Sequence, residues 1–161
     1  MSETKIIYCD TRQKDKSHTL KELGFKELGY EILRTKLECG DYQMPMKAVT
    51  IDTKKDINEL VMDITKDHTR FRNELLLAQK VGKKMYILVE EKGYWNLENI
   101  HLWQSPKYKY GAKKGKLITN ANMETMQKVL KTMSEKYNCT FLFCDPKDSA
   151  RIIVKILERG V

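Results

Sequence analysis

Apolar and polar positions change period several times along the chain, and each change marks an element. Residues 5–10, KIIYCD, are apolar, partly β-branched and end on an acid, which predicts a strand. SHTLKELGFKELG follows at helical spacing. There Ser17 is placed to cap a helix, Leu20 and Leu23 to face inward, and Gly24 to end it. YEILRTKL, 30–37, predicts a second strand. CGDYQMP predicts a turn into an extended piece, and MPMK around Pro45 another turn. AVTIDTK then reads as a strand with Val49 and Ile51 on one face.

The next two segments switch to a helical period. KDINELVMDI, 55–64, sets Ile57, Leu60, Val61 and Ile64 on one side. DHTRFRNELLLAQKVG, 67–82, does the same with Phe71, Leu75 and Ala78 and stops at Gly82. KMYILVEE, 84–91, is apolar almost throughout, as a strand covered on both faces must be. NMETMQKVLKTMSEKY, 122–137, is amphipathic, CTFLFC reads as a strand, and DPKDSARIIVKILERG is a helix opened by an aspartate and a proline. Helices and strands alternate, so the expected fold is α/β, a central mixed β-sheet flanked by helices in a single domain spanning 1–161.

Composition narrows the class. Hydrophobic residues make up 41% and charged residues 32%, ordinary for a globular protein. Every apolar run is short and the N-terminus MSETK lacks an apolar signal core, so no membrane partner is expected. The expected location is the cytoplasm of a prokaryotic or phage-infected cell, or the nucleus in a eukaryote. The four cysteines form no CxxC pair, which favours reduced, buried thiols over a zinc site. A net charge of +8 predisposes the chain to polyanions. Much of that charge is concentrated in a loop over 104–118. Its core, QSPKYKYGAKKGK, carries Lys107, Lys109, Lys113, Lys114 and Lys116 with Tyr108 and Tyr110 and no acid. Lysines can neutralise phosphates and tyrosines can stack on unpaired bases; a merely solvated loop is the plain alternative.

The charges in CGDYQMPMKAVTIDTKK ask for a chemical reason. Side chains two apart on a strand share a face, so Asp52 and Lys54 project together while Ile51 and Thr53 point away. A hairpin through Pro45 brings Asp41 back beside Asp52. Two carboxylates and the Thr53 carbonyl are hard oxygen ligands suited to Mg²⁺ or Mn²⁺. A neighbouring lysine can orient water or steady a phosphate. A plain Asp52–Lys54 ion pair at the sheet end is the competing reading. Asp10 adds a carboxylate at the same sheet end, or caps the strand. Arg12, Arg70 and Arg72 are phosphate contacts, or a solvated face.

YCDTRQ, ECGDYQM, VTIDTKKDINEL and TRFRNELLLAQKVGKKMYILVEEKG, in this order, resemble the nuclease domain of the XPF-type structure-specific endonucleases, a branch of the PD-(D/E)xK restriction-endonuclease-like fold. The resemblance implies a metal-dependent DNA endonuclease acting on branched or junction-containing DNA, in repair or recombination, and leaving 5′-phosphate and 3′-hydroxyl ends. It matches Asp10 to the first-strand acid and Asp41 to the central metal-binding aspartate. Asp52 and Lys54 match the glutamate and lysine of an ERK signature, and Arg70 the arginine opening the next helix. Here the signature reads DTK, with Thr53 in place of arginine, and Asp56 or Glu59 stands nearest the acid expected after the lysine. The family's helix-hairpin-helix module has no counterpart in these residues, so a stand-alone nuclease domain is expected, with a homodimer left open. A non-catalytic DNA-binding module on the same fold is the alternative.

Overall fold

The computed structural model describes residues 3–13, 15–105 and 120–160. The chain order is β1 (Lys5–Asp10), α1 (Asp15–Glu27), β2 (Tyr30–Thr35), β3 (Tyr42–Gln43), β4 (Val49–Lys54), α2 (Ile57–Thr65), α3 (His68–Lys80), β5 (Lys84–Glu90), α4 (Asn120–Lys136), β6 (Thr140–Cys144) and α5 (Ser149–Arg159). Short 3₁₀ turns cover Ile100–Leu102 and Pro146–Asp148. One six-stranded sheet runs β2-β1-β3-β4-β5-β6. All its neighbours are parallel except the pairs that β3 makes with β1 and β4. The fold is the mixed, helix-flanked α/β sheet expected from the pattern.

Two cores explain the arrangement. On one face Ile57, Leu60, Phe71, Leu75, Ile87, Leu130 and Phe141 pack together, joining α2, α3 and α4 to the sheet. On the other, Ile7, Phe25, Tyr42, Ile51, Leu88 and Ile153 join α1 and α5 to it. Strand β5 feeds both, Met85, Ile87 and Val89 to the first and Tyr86 and Leu88 to the second. Its near-continuous apolar run follows from that double burial. All four cysteines are buried and free. Among the described residues no helix is long and apolar enough to cross a membrane.

Helix α1 departs most from its pattern. It begins at Asp15, so Ser17 lies inside it rather than at its cap. Leu20 and Leu23 are 84% and 51% exposed, while His18, Lys21 and Phe25 are buried. The buried trio shares one helical face, and polar partners on the sheet make that face the inner one. His18 Nδ1 meets the Tyr42 hydroxyl at 2.8 Å, and Lys21 pairs with Glu90 at 2.5 Å. Gly24 does not end the helix, which runs on to Glu27 before Gly29 turns it at φ 89°. A Cβ at Gly24 would stand 2.6 Å from Ala150 Cβ, so this glycine lets α1 approach α5. The predicted strand 30–37 ends at Thr35.

Candidate functional site

Local chemistry places the first carboxylates. Met46, at φ 65°, follows Pro45 in the turn that folds β3 antiparallel onto β4, as the MPMK turn predicts. Tyr42 faces both Cys9 and Ile51 in the ladders. One residue further, the Asp41 carbonyl accepts from Asp10 N at 2.9 Å and its N–H donates to the Ile51 carbonyl at 2.6 Å. Asp10, Asp41 and Asp52 therefore stand in a row across three strands. Gly40 keeps the approach close: a Cβ there would lie 2.1 Å from Thr50 Oγ1, and its φ is 74°.

Each carboxylate has a different environment. Asp10 is 3% exposed and accepts from Leu37 N at 2.9 Å and Arg12 Nε at 2.8 Å. Both its oxygens already serve the protein. Arg12 is correspondingly tied back, with Nη2 donating to the Leu37 carbonyl at 2.8 Å. It is a clamp on Asp10 and residue 37 before it is a phosphate contact. Asp41 Oδ2 accepts from Thr53 N at 2.8 Å and Thr53 Oγ1 at 2.9 Å. Thr53, where the resemblance expects arginine, thus fixes Asp41 through its N–H and hydroxyl.

Asp52 and Lys54 project together and pair at 2.8 Å. Lys54 also pairs with Asp63 of α2 at 2.5 Å and lies over the Phe71 ring at 5.1 Å. Burial works against the Lys54 ammonium, but Asp52 and Asp63 outweigh it and hold its pKa above the ordinary lysine range. Burial pushes the Asp52 carboxyl upward, opposed by Lys54 and reinforced by Asp41. The Lys54 ammonium so held donates to the carboxylates of Asp52 and Asp63.

Helix α3 supplies what the strand pattern did not show. Arg70 and Glu74, one turn apart, line a cleft of about 500 Å³ with Asp10, Asp41 and Asp52. Glu74 Oε2 is buried there with no hydrogen-bond partner. Arg72 is exposed, lies between them on the helix and points elsewhere. A second cleft opens on the other side of Asp41, lined by Thr53, Lys55, Glu59, His18 and Gln13, whose Nε2 is buried and unpartnered. His18 is held toward its neutral form by burial and by Lys21. Asp56 caps α2, accepting from Glu59 N at 2.7 Å, while Glu59 reaches back to Lys55 N at 2.7 Å. Of those two acids, Glu59 faces the site region and Asp56 belongs to the helix start.

Among the described residues, no three acids, histidines or cysteines form a ready-made metal cage. The donor set still fits a hard cation. Mg²⁺ keeps several waters and needs only one or two carboxylates, and the unpartnered Glu74 oxygen lines the cleft that Asp41 and Asp52 line. Lys107, Tyr108, Lys109, Tyr110, Lys113, Lys114 and Lys116 lie outside the described residues.

The sequence matches the ERCC4 domain over residues 9–156. The chain belongs to the ERCC4 domain family. A search of curated proteins finds no match. Among solved structures, this ERCC4 domain is similar to XPF from Aeropyrum pernix, with a TM-score of 0.64 and 14% identity over 94% of the chain. It is also similar to the same protein in complex with DNA, with a TM-score of 0.67 and 14% identity over 97%. The match spans 64% of the XPF chain in each case. At that identity the likeness is one of fold: the ERCC4 domain has the architecture of the XPF nuclease domain.

Proposed function

We propose that this ERCC4 domain is a metal-dependent DNA endonuclease that acts on branched or junction-containing DNA. The observation that carries the reading is the convergence of Asp41, Asp52 and the unpartnered Glu74 oxygen in one cleft, with charged Lys54 paired to Asp52. The family resemblance, which matches Asp10, Asp41 and Asp52 to its acids, supports the reading. A homologous fold has been seen with DNA, which supports a DNA substrate.

Asp41 and Asp52 would hold Mg²⁺ or Mn²⁺, with the Thr53 carbonyl and Glu74 close by. When bound, the metal supplies a Lewis acid for the scissile phosphate and a more acidic water. The protein's own residues do the rest. Thr53 holds Asp41 in one orientation. Asp63 and Phe71 keep the Lys54 ammonium in place when Asp52 is drawn to a cation. Lys54 then orients the attacking water and steadies negative charge gathering on the phosphate. Asp10, with both oxygens engaged, acts as a support: it locks Arg12 and residue 37 against the strand end. Arg70, exposed at the cleft rim, is the phosphate contact.

The test is cleavage of labelled duplex, flap, fork and four-way-junction DNA in Mg²⁺ and in Mn²⁺. Wild type should cut a branched substrate; Asp52→Ala and Lys54→Ala should bind it and not cut. Lys54→Ala strands two partly buried carboxylates, so circular dichroism must show that it is folded. Binding without cutting by wild type in either metal would favour the non-catalytic DNA-binding reading. Cutting that persists in Asp52→Ala would place the active site elsewhere.

A further inference from the structure

The sheet end that carries the acidic cleft continues past it. Strands β4, β5 and β6 are parallel, so their C-terminal ends lie along one edge. The two outer strands are two spacings, roughly 10 Å, apart. The depressions on this edge share residues. The cleft of Asp41 and Thr53 shares Lys55 and Glu90 with one lined by Lys92 and Trp95. That one shares Trp95 with a third, of about 480 Å³, lined by Tyr94 and Lys147. Shared lining residues thus lead from the second cleft beside Asp41 to the turn after β5.

That turn is built to hold an aromatic ring in solvent. Tyr94 is 98% exposed. Its neighbour Trp95 packs against the core, and the indole N–H donates to the Lys92 carbonyl at 2.9 Å. Asn99 Nδ2 donates to the Tyr94 carbonyl at 2.7 Å, and Asn99 Oδ1 accepts from Asn96 N at 2.8 Å. The backbone beneath Tyr94 is thus fixed while its ring touches almost nothing. A tyrosine so placed contributes little to folding.

The charges around it are mixed, with acids and lysines both lining these depressions. The acids of this end are engaged within the protein. Glu90 pairs with Lys21, Glu91 accepts from Trp103 Nε1 at 2.7 Å, Asp145 caps Lys147 N, and Asp148 pairs with Arg151. Lys92 and Lys147 are exposed and carry no ion pair among the described residues. Two uncommitted ammonium groups beside a bare ring and a half-buried indole are the components of a single-strand site: stacking for a base, lysines for its flanking phosphates.

We propose that Tyr94 and Trp95, with Lys92 and Lys147, form a subsite for an unpaired nucleotide of single-stranded DNA leading away from the cleavage site. This rests on the endonuclease reading and deepens it by giving an unpaired stretch of the branched substrate a place to dock.

Binding in EDTA tests it separately from cutting. The probe is a fluorescein-labelled oligodeoxythymidylate of roughly 12 nucleotides, within the usual site sizes, with a blunt duplex as comparator. Tyr94→Ala should weaken oligothymidylate binding roughly 5- to 100-fold, as loss of one stacked base does, and weaken duplex binding several times less. Tyr94→Phe should bind like wild type. Oligothymidylate should quench Trp95 fluorescence, since Trp103 is buried. Unchanged oligothymidylate affinity in Tyr94→Ala, or an equal loss for duplex, overturns the subsite even if the protein cuts DNA. Tyr94-dependent binding by a protein that cuts nothing upholds the subsite and overturns the endonuclease reading alone.

Discussion

Lys54 has more partners than its place on a strand suggests. A strand residue shares a face with its neighbours two positions away, so the Asp52–Lys54 pairing was legible from spacing alone. Asp63 was not, because it arrives from α2. Glu74 was likewise invisible: nothing in RFRNELLLAQ marks one acid of a helix face as lacking a partner until the helix is docked. Its unpartnered oxygen yields a prediction in two parts. Without metal, Glu74→Gln should stabilise the fold by about 1 kcal/mol, since it removes like-charge repulsion with Asp52 at an oxygen that has no hydrogen-bond partner. The stabilisation that Mg²⁺ or Mn²⁺ gives wild type should shrink in the variant. Thermal melts with and without metal read both parts; a variant less stable without metal and equally responsive to it would remove Glu74 from the site.

At the scale of elements, most boundaries follow from period and punctuation. Helix α2 starts after Asp56, α3 stops before Gly82, and α5 ends at Gly160 with φ 64°. Helix α1 breaks the rule because its inner face is polar. Its leucines yield to His18 and Lys21, whose partners Tyr42 and Glu90 lie on other strands. Gly24 was read as a stop because glycine commonly ends helices, yet here it serves the contact with α5. Helix propensity alone predicts that Gly24→Ala stabilises. The 2.6 Å approach to Ala150 predicts the reverse: a loss of about 1–3 kcal/mol by urea denaturation, as overpacked cores show. Ala150→Gly in the same chain should recover most of it. A stabilising Gly24→Ala would mean that the helices can move apart freely.

For the whole molecule, the balance of charge sets how DNA is met. The net charge of +8 includes five lysines in 104–116 with no acid among them. If these lysines meet phosphates, raising monovalent salt from roughly 50 to 200 mM should weaken duplex binding by about 100-fold or more. Replacing the five with glutamine should flatten that slope. A shallow slope in wild type, unchanged by the replacement, would leave the loop without a role in binding. The sequence by itself determined the α/β class, the double-sided burial of β5, the hairpin through Pro45 and the Asp41, Asp52 and Lys54 set. These depend on periodicity, turn chemistry and short-range geometry, all written locally. Only the tertiary structure decided that Asp10 is tied to Leu37 and Arg12, that Thr53 holds Asp41, that Asp63 shares Lys54, and that Glu74 joins the cleft. Each is a contact between elements far apart in the chain. Whether a buried charge is satisfied depends on which groups the packing of two helical layers against one sheet brings within hydrogen-bonding distance.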